Sequence, residues 1–507
     1  MTERRAGLVG AFLSLKVILF VAAAITIVFQ QSTGFASDPG VGWHIRTGQW
    51  IIEQKAVPLI DPFLGGPVRT WVCDQWLSDA LLFLLYRAGS WPLIYLVLGA
   101  TYFFTYFGVL LSLVERRSGT FAPAALSVFF AMKVGFIHFL LRPTIFGFLF
   151  FATELYLLEP LFTYGTSKKR LYWLPLLFLF WTNMHGSFVL GVVPLAIGGA
   201  LYLSFLARKK ERSVVPVALC ALSLLATFAN PNGAGLHRSI VALGGSKWLM
   251  QFHQEWLPIE LASVEGVLFL AISAFAVVGV WDAIRTSERG FKASLENWLP
   301  DALLSAIFAF CALRSVRMVP YFGIASAVLA ARGAHALPST RVFRALFPSG
   351  ILLRLTTWMN EREGRVAMPG AQLLTGLVIL FALAGYFMSA HPLEPPRAVY
   401  PYDATAFIET LPAGDILAGP DVGGFLTLRL WPRNRPLMDD RNTLLGEAFY
   451  KKYFLARETP EGFIEFGKSL NAKYILLSPS SKLSSMMAGA GCERLYGDEH
   501  AVLCRVN

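Results

Sequence analysis

The chain has 507 residues, 55% of them hydrophobic and only 15% charged, with 44 Lys and Arg against 33 Asp and Glu. Soluble domains carry about 25% charged residues, so this composition excludes an ordinary water-soluble protein and points to a bilayer. The net charge of +11 falls in short basic clusters between apolar runs, not in one basic stripe, so no nucleic-acid partner is expected.

The N-terminus, MTERRAGLVGAFLSLKVILFVAAAITIVFQ, pairs a basic start with an apolar run too long for a cleavable signal core. It predicts a retained first span with a cytoplasmic N-terminus. Further apolar runs follow at 92–114, 121–140, 144–163, 171–184, 187–207, 213–229, 265–284, 298–313, 319–333 and 370–389. With 9–31 they predict about eleven transmembrane helices, although several fall short of the ~20 residues a crossing needs. Parity supports the count. The loops that would face the cytoplasm, at 115–117, 168–170, 208–210, 285–292 and 332–365, are all basic, as the positive-inside rule requires. RVFRALFPSGILLRLTTWMNER in the last of these reads as one interfacial helix with Trp358 at the headgroups.

The expected architecture is an α-helical polytopic membrane domain over 1–390, a stiff proline-rich linker at 391–401, and a small extracytoplasmic α/β domain at 402–507. In that domain ATAFIETL and the stretch GEAFYKKYFLARETPEGFIEFGKSL read as helices. DILAG, RPLMDDR and AKYILLS read as strands, SSKLSSMMAGA as a helix, and RLYGDEHAVLCRV as a terminal hairpin. Cys492 and Cys504 flank that hairpin, where a cross-strand disulfide is compatible with an oxidising compartment. Lys133 and Glu154 lie inside adjacent spans at depths of ~10 and ~15 Å from their shared turn, and an ion pair between them is expected.

The outer segments hold the polar chemistry. Segment 34–91 contains DPGVGWHIRTGQWII and WVCDQWLSDALLFLLYR, each suited to a short amphipathic helix lying on the leaflet. A carboxylate just after the first span, a flat helix, a Pro-containing loop and a second flat helix resemble the membrane-integral GT-C glycosyltransferases, which include lipid-A aminoarabinose transferases and protein O-mannosyltransferases. The closer likeness is to a group of bacterial polytopic GT-C-like proteins. It is carried by DPGVGWHIRTGQWI, WVCDQWL, LRPTIFGFL, WTNMHGSFVLG, NPNGAG, QEWLP, RSVRMVPYF and GGFLTLRLWPRNRPLMDDR. One position departs from that group: Asp74-Gln75 stands where a His-Glu pair is usual.

The resemblance implies transfer of a sugar from a polyprenyl-phosphate carrier to a glycan, lipid or protein acceptor at the outer face of a bacterial inner membrane. Asp38 then suits the general base, near water yet beside lipid, although an acid there also suits a helix cap. Asp74 is the second candidate acid. His44 and Arg46 suit a donor phosphate, and equally an interfacial His and a snorkelling Arg. Asp61 precedes Pro62 and reads as a turn residue. Arg142, His185, Arg314 and Arg317 sit in short turns, with Asn230 and Glu255 nearby. So many polar groups on one leaflet predict a shared cavity that binds the phosphate, with Arg317 and Arg142 foremost. Asp439-Asp440-Arg441 reads as acids that end a strand, with acceptor recognition open. No cofactor is demanded; a divalent cation is compatible. Two other classes stay open, a transporter or flippase for a lipid-linked saccharide and a non-catalytic glycan-binding scaffold.

Overall fold

The computed structural model describes residues 14–31, 37–163, 166–246, 248, 251, 254–286, 291–346, 350–364, 369–390, 394–487 and 492–506. Residues 9–13 of the expected first span and 391–393 of the linker lie outside that set. Each apolar run becomes helical, since a backbone in lipid must satisfy its own N–H and C=O groups. The order is α1 (Leu15–Gln31), α2 (Val41–Gln54) and α3 (Trp76–Phe103), which continues through a wider turn at Phe104–Leu110 into α4 (Leu111–Ser118). Then come α5 (Phe121–Gly135), α6 (Thr144–Phe162), α7 (Leu174–Met184), α8 (Phe188–Ala207), α9 (Val215–Ala226) and α10 (Ala234–Gly245). The bundle closes with α11 (Val264–Arg285), α12 (Phe291–Arg314), α13 (Val319–Ala336), α14 (Arg341–Leu346), α15 (Ile351–Gly364) and α16 (Pro369–Ala390).

Among the described residues six stretches are long and apolar enough to cross a membrane, at Trp76–Ser118, Phe121–His138, Thr144–Phe162, Phe188–Ala207, Val264–Arg285 and Gly370–Ser389. Leu15–Val28 and Val215–Ala226 are shorter apolar helices. The chain is a multi-pass membrane protein. The second amphipathic helix is the first part of α3, and Ser90 at φ 52° followed by Pro92 breaks it from the span beyond.

Two expectations are corrected here. Lys133 and Glu154 do not pair: Lys133 Nζ lies 4.9 Å from the Phe136 ring, and the Glu154 carboxylate is buried among other neighbours. The reason is packing. α5 lies chiefly against α13 and α6 against α8, so consecutive spans do not face each other as a hairpin. The interfacial segment is two helices, α14 and α15, and not one. Glu363 at the end of α15 turns inward to accept from the Lys16 N–H at 3.3 Å and from Gln372 at 2.9 Å. The basic loops gather at this end of the bundle, where Arg117 meets Asp301 at 2.6 Å and Arg332 meets Asp282 at 2.9 Å.

The tail adds α17 (Tyr402–Thr410), β1 (Asp415–Leu417), α18 (Pro420–Leu430), α19 (Asn442–Ala456), α20 (Pro460–Ser469), β2 (Ala472–Leu477), α21 (Lys482–Met486), β3 (Glu493–Gly497) and β4 (Val502–Arg505). The sheet runs β1-β2-β4-β3, with β1 parallel to β2 and the other pairs antiparallel. Along β2, Tyr474 and Leu476 enter one apolar core while Ile475 and Leu477 enter another. The period of two therefore buries both faces. RPLMDDR is not a full strand. Its backbone pairs with β1 at the Ile416–Pro436 bridge, Arg435 meets Asp415 at 3.2 Å, and its acids lie in a loop. Cys492 and Cys504 are free thiols in the core.

Candidate active site

The loop after α1 makes a tight turn at Asp38-Pro39-Gly40. Asp38 is 1% exposed, and its Oδ1 accepts the Gly40 N–H at 2.7 Å. A Cβ on Gly40 would lie 3.1 Å from Asp38 Oδ1, Asp440 Oδ2 and Trp43 Nε1 alike, so glycine leaves room for three polar groups to close over the turn. Arg142, from the turn before α6, reaches into them. Its Nε contacts Asp38 Oδ2, Nη1 donates to Glu255 Oε1 at 2.6 Å, and Nη2 lies 3.5 Å from Asp440 Oδ2. The other oxygen of Glu255 is 3.7 Å from Arg317 Nη1, and that guanidinium stands 5.2 Å from the Trp256 ring. Trp43 Nε1 donates to Asp440 Oδ1 at 2.8 Å.

Burial raises the Asp38 carboxyl above its ordinary 3.8, with Arg142 pulling it back. Asp440 is pushed up to about 6 by the same two opposed influences. Burial also works against the charge of Arg142, but Asp38, Glu255 and Asp440 overcome it and hold its proton more tightly than in free arginine. Three carboxylates thus share two guanidiniums. Both guanidiniums are already met by carboxylates, so an incoming anion has to displace one of them.

A cavity of about 140 Å³ adjoins the cluster. Asp74, His185, Arg317, Tyr321 and Thr443 supply its polar lining, and Leu236 and Ile240 part of its apolar lining. Burial pushes Asp74 up to about 6, with Asp79 adding to it and Arg317 opposing. His185 is pulled down to about 3 by burial and then by Arg317, so its imidazole is neutral. The Ser187 N–H donates to its Nδ1 at 3.1 Å, which leaves the ring proton on Nε2, 3.3 Å from Thr144 Oγ1. His44 is neutral for the same reason, pulled to about 3 by burial. Its Nδ1 lies 2.6 Å from Asp79 Oδ1, and its ring packs on Trp43 at 3.6 Å between centroids.

Asp440 arrives by way of its neighbours. Arg441 lies 2.8 Å from Asp61 Oδ1 and 2.7 Å from Asp439 Oδ2, with its guanidinium 4.5 Å from the Trp71 ring. Asp61 also accepts the Leu64 N–H at 2.9 Å, so the turn reading of that residue holds beside its ionic one. The tail docks on α2 by close backbone approach, since a Cβ on Gly42 would fall 2.0 Å from the Gly424 carbonyl oxygen.

The structure brings Asp38, Arg142, Glu255 and Arg317 into one cluster and sets Asp74 and His185 around the adjoining cavity. It does not bring Arg46 or Arg314 there. Arg46 caps the end of α18, its Nε and Nη2 donating to the Leu428 carbonyl at 3.0 and 2.5 Å, because last-turn carbonyls lack partners inside a helix. Arg314 is exposed and stacks 4.9 Å from Phe310. Asn230 stays in its own turn, donating to Thr227 O at 2.9 Å. Sequence reasoning read Asp440 as a strand-ending acid with acceptor recognition open, and did not single out Trp43 or Asp79 as site residues. The one signal for Asp440 was its place in GGFLTLRLWPRNRPLMDDR, a segment already tied to the GT-C-like pattern.

A divalent cation has no ready seat here. The converging carboxylates are already met by a guanidinium, and among the described residues no three His, Cys, Asp or Glu side chains are grouped as ligands.

No protein-family model and no curated protein matches the chain. Among solved structures, it is similar to the oligosaccharyltransferase of Archaeoglobus fulgidus in the apo form. The TM-score is 0.55 at 11% identity, covering 91% of this chain and 69% of that one. The same enzyme, AglB, in complex with an inhibitory peptide and a dolichol-phosphate gives 0.55 at 12% identity with the same coverage. ArnT from Cupriavidus metallidurans in the apo state gives 0.48 at 14% identity, covering 97% of this chain and 98% of that one. The oligosaccharyltransferase likeness defines the class: the chain has a GT-C-like fold.

Proposed function

We propose that the protein is a membrane glycosyltransferase that moves a sugar from a polyprenyl-phosphate carrier to a glycan, lipid or protein acceptor. The observation that carries this is the half-buried cluster of Asp38, Glu255 and Asp440 around Arg142, with Arg317 at its edge. Asp38 accepts the proton of the acceptor hydroxyl as its oxygen bonds to the anomeric carbon. The bond from that carbon to the phosphate oxygen breaks, and the electron pair leaves on the phosphate, held by Arg142 and Arg317. The phosphate first competes with the carboxylates for Arg142, which frees Asp38 Oδ2 to act as base. Asp74 and His185 line the neighbouring cavity and orient what enters it, while His44 holds Trp43 and Asp79 in place.

The AglB structure with a dolichol-phosphate shows this fold holding a polyprenyl phosphate, which supports a donor of that class. The basic loops lie at the far end of the bundle from the cluster, which supports an extracytoplasmic site by the positive-inside rule. On this reading residues 1–390 form the membrane domain, 391–401 the linker, and 402–507 the domain that caps the site.

The test is transfer of radiolabelled sugar from a polyprenyl-phosphate donor by purified protein, wild type against Asp38→Asn. Equal turnover in the two would remove Asp38 as base, and no turnover with any lipid-phosphate donor would remove the donor class.

A further inference from the structure

A second cleft, of about 360 Å³, opens where α2 and the start of α3 meet the tail. That volume is in the range of small-ligand sites, about 300–1,000 Å³. Its lining carries both signs of charge, Arg46 and Arg429 together with Glu409 and with Glu394, whose Oε1 lies 3.4 Å from Arg397 Nε. Tyr86, Trp91 and Tyr402 add aromatic walls. The Tyr86 and Trp91 rings meet edge to face at 5.1 Å, and the Arg429 guanidinium stands 5.5 Å from the Tyr402 ring. Arg46 is held in place by the Leu428 carbonyl and by Gln49, whose Oε1 accepts from Nη1 at 2.6 Å.

We infer that this cleft binds a neutral saccharide. An anion would meet two glutamates, a cation two guanidiniums, and an apolar ligand would take water from the half-buried Arg46 and Glu394. A sugar hydroxyl both donates and accepts, so guanidinium donors and carboxylate acceptors are satisfied together. The C–H faces of a pyranose ring then cover the aromatic rings, which present flat apolar area with polar tips. The cleft also lies on the helix that carries Trp43 to the carboxylate cluster. Arg46 is three residues on from Trp43, about 4.5 Å of helical rise. Its role as the acceptor-glycan site rests on the glycosyl-transfer reading; the binding itself does not.

Equilibrium dialysis of the full chain in detergent tests it, with radiolabelled chitobiose, maltose and mannobiose as neutral probes and a sulfated chondroitin disaccharide as the anionic one. At least one neutral disaccharide is expected to bind saturably and the sulfated one not. Glu409→Gln and Arg429→Gln, both at exposed positions, should each weaken that binding about 5–10-fold, the effect of one or two lost polar contacts. The inference falls if no neutral disaccharide binds, if both variants bind as wild type does, or if phosphatidylethanolamine micelles displace the sugar. Polyprenyl-phosphate binding by Arg142→Ala in the same preparation reads the donor site separately. Retention there would remove the donor reading and leave the saccharide result standing.

Discussion

Two arginines, 299 positions apart in the chain, sit in neighbouring acidic clusters of different exposure. The Arg441 side chain is 3% exposed, with Asp61 at 1% and Asp439 at 0%. Backbone N–H groups meet both acids, and aromatic rings flank the guanidinium. Arg142 is 21% exposed, with Glu255 at 28% and Asp440 at 20%. It has three acids around it, one of which, Glu255, links it to Arg317 on the wall of a cavity. The difference teaches how to sort charge clusters at a membrane surface. One that is sealed and internally satisfied holds the fold; one that is crowded with like charge and open to solvent is ready to exchange partners.

The largest effect that can break this comparison is catalytic. Asp38→Asn should lower sugar transfer by about 10²–10⁴-fold, the range for loss of a positioned base, and leave the melting temperature nearly unchanged because Arg142 keeps two acids. Arg441→Met addresses the other half. It strands two buried carboxylates and should destabilise the protein by about 3–5 kcal/mol, seen as a fall in melting temperature of the detergent-solubilised chain. A fall no larger than that of Arg142→Met would erase the distinction. Arg142→Lys keeps the charge and loses the fork that spans several acceptors. Polyprenyl-phosphate binding should weaken about 10-fold, the order set by one lost charge-assisted hydrogen bond, while the melting temperature moves little.

The smallest effect concerns Asp74. Its folded pKa, about 6, lies above the ordinary 3.8, so the folded chain holds that proton more tightly than the unfolded one. The stabilisation is present below pH 4 and is lost as pH rises through 6. Asp74→Asn should therefore gain more stability over wild type at pH 7.5 than at pH 4.5, by on the order of 1–2 kcal/mol. An equal difference in melting temperature at both values would show that the carboxyl is not held above its usual range.

Much of the fold was legible because lipid forces each apolar run into a helix and the tail alternates cleanly between periods of two and 3.6. The second amphipathic helix was legible from WVCDQWLSDALLFLLYR, and its junction with the span is marked by Gly89-Ser90 and Pro92. What failed were contacts between elements. Lys133 and Glu154 were paired on the assumption that sequential spans face each other, and α5 and α6 turned to other partners. Arg46 was read as either a phosphate ligand or a snorkelling side chain, and neither reading names the contact it makes. Its partner is an orphan carbonyl at the end of a helix 382 residues away. The site was half visible. Asp38, Arg142, Glu255 and Arg317 stood out by sidedness, whereas Asp440 carries no local sign of where its loop docks.

That docking has a consequence for biogenesis. Trp43 and its acceptor Asp440 are 397 residues apart, an interval that a ribosome adding about 5–20 residues per second needs roughly 20–80 seconds to cover. Throughout that time the membrane helices can be in place while the site lacks one of its walls. On the proposed reading, a nascent or truncated chain lacks that wall until residues 402–507 have been made, folded and seated on α2.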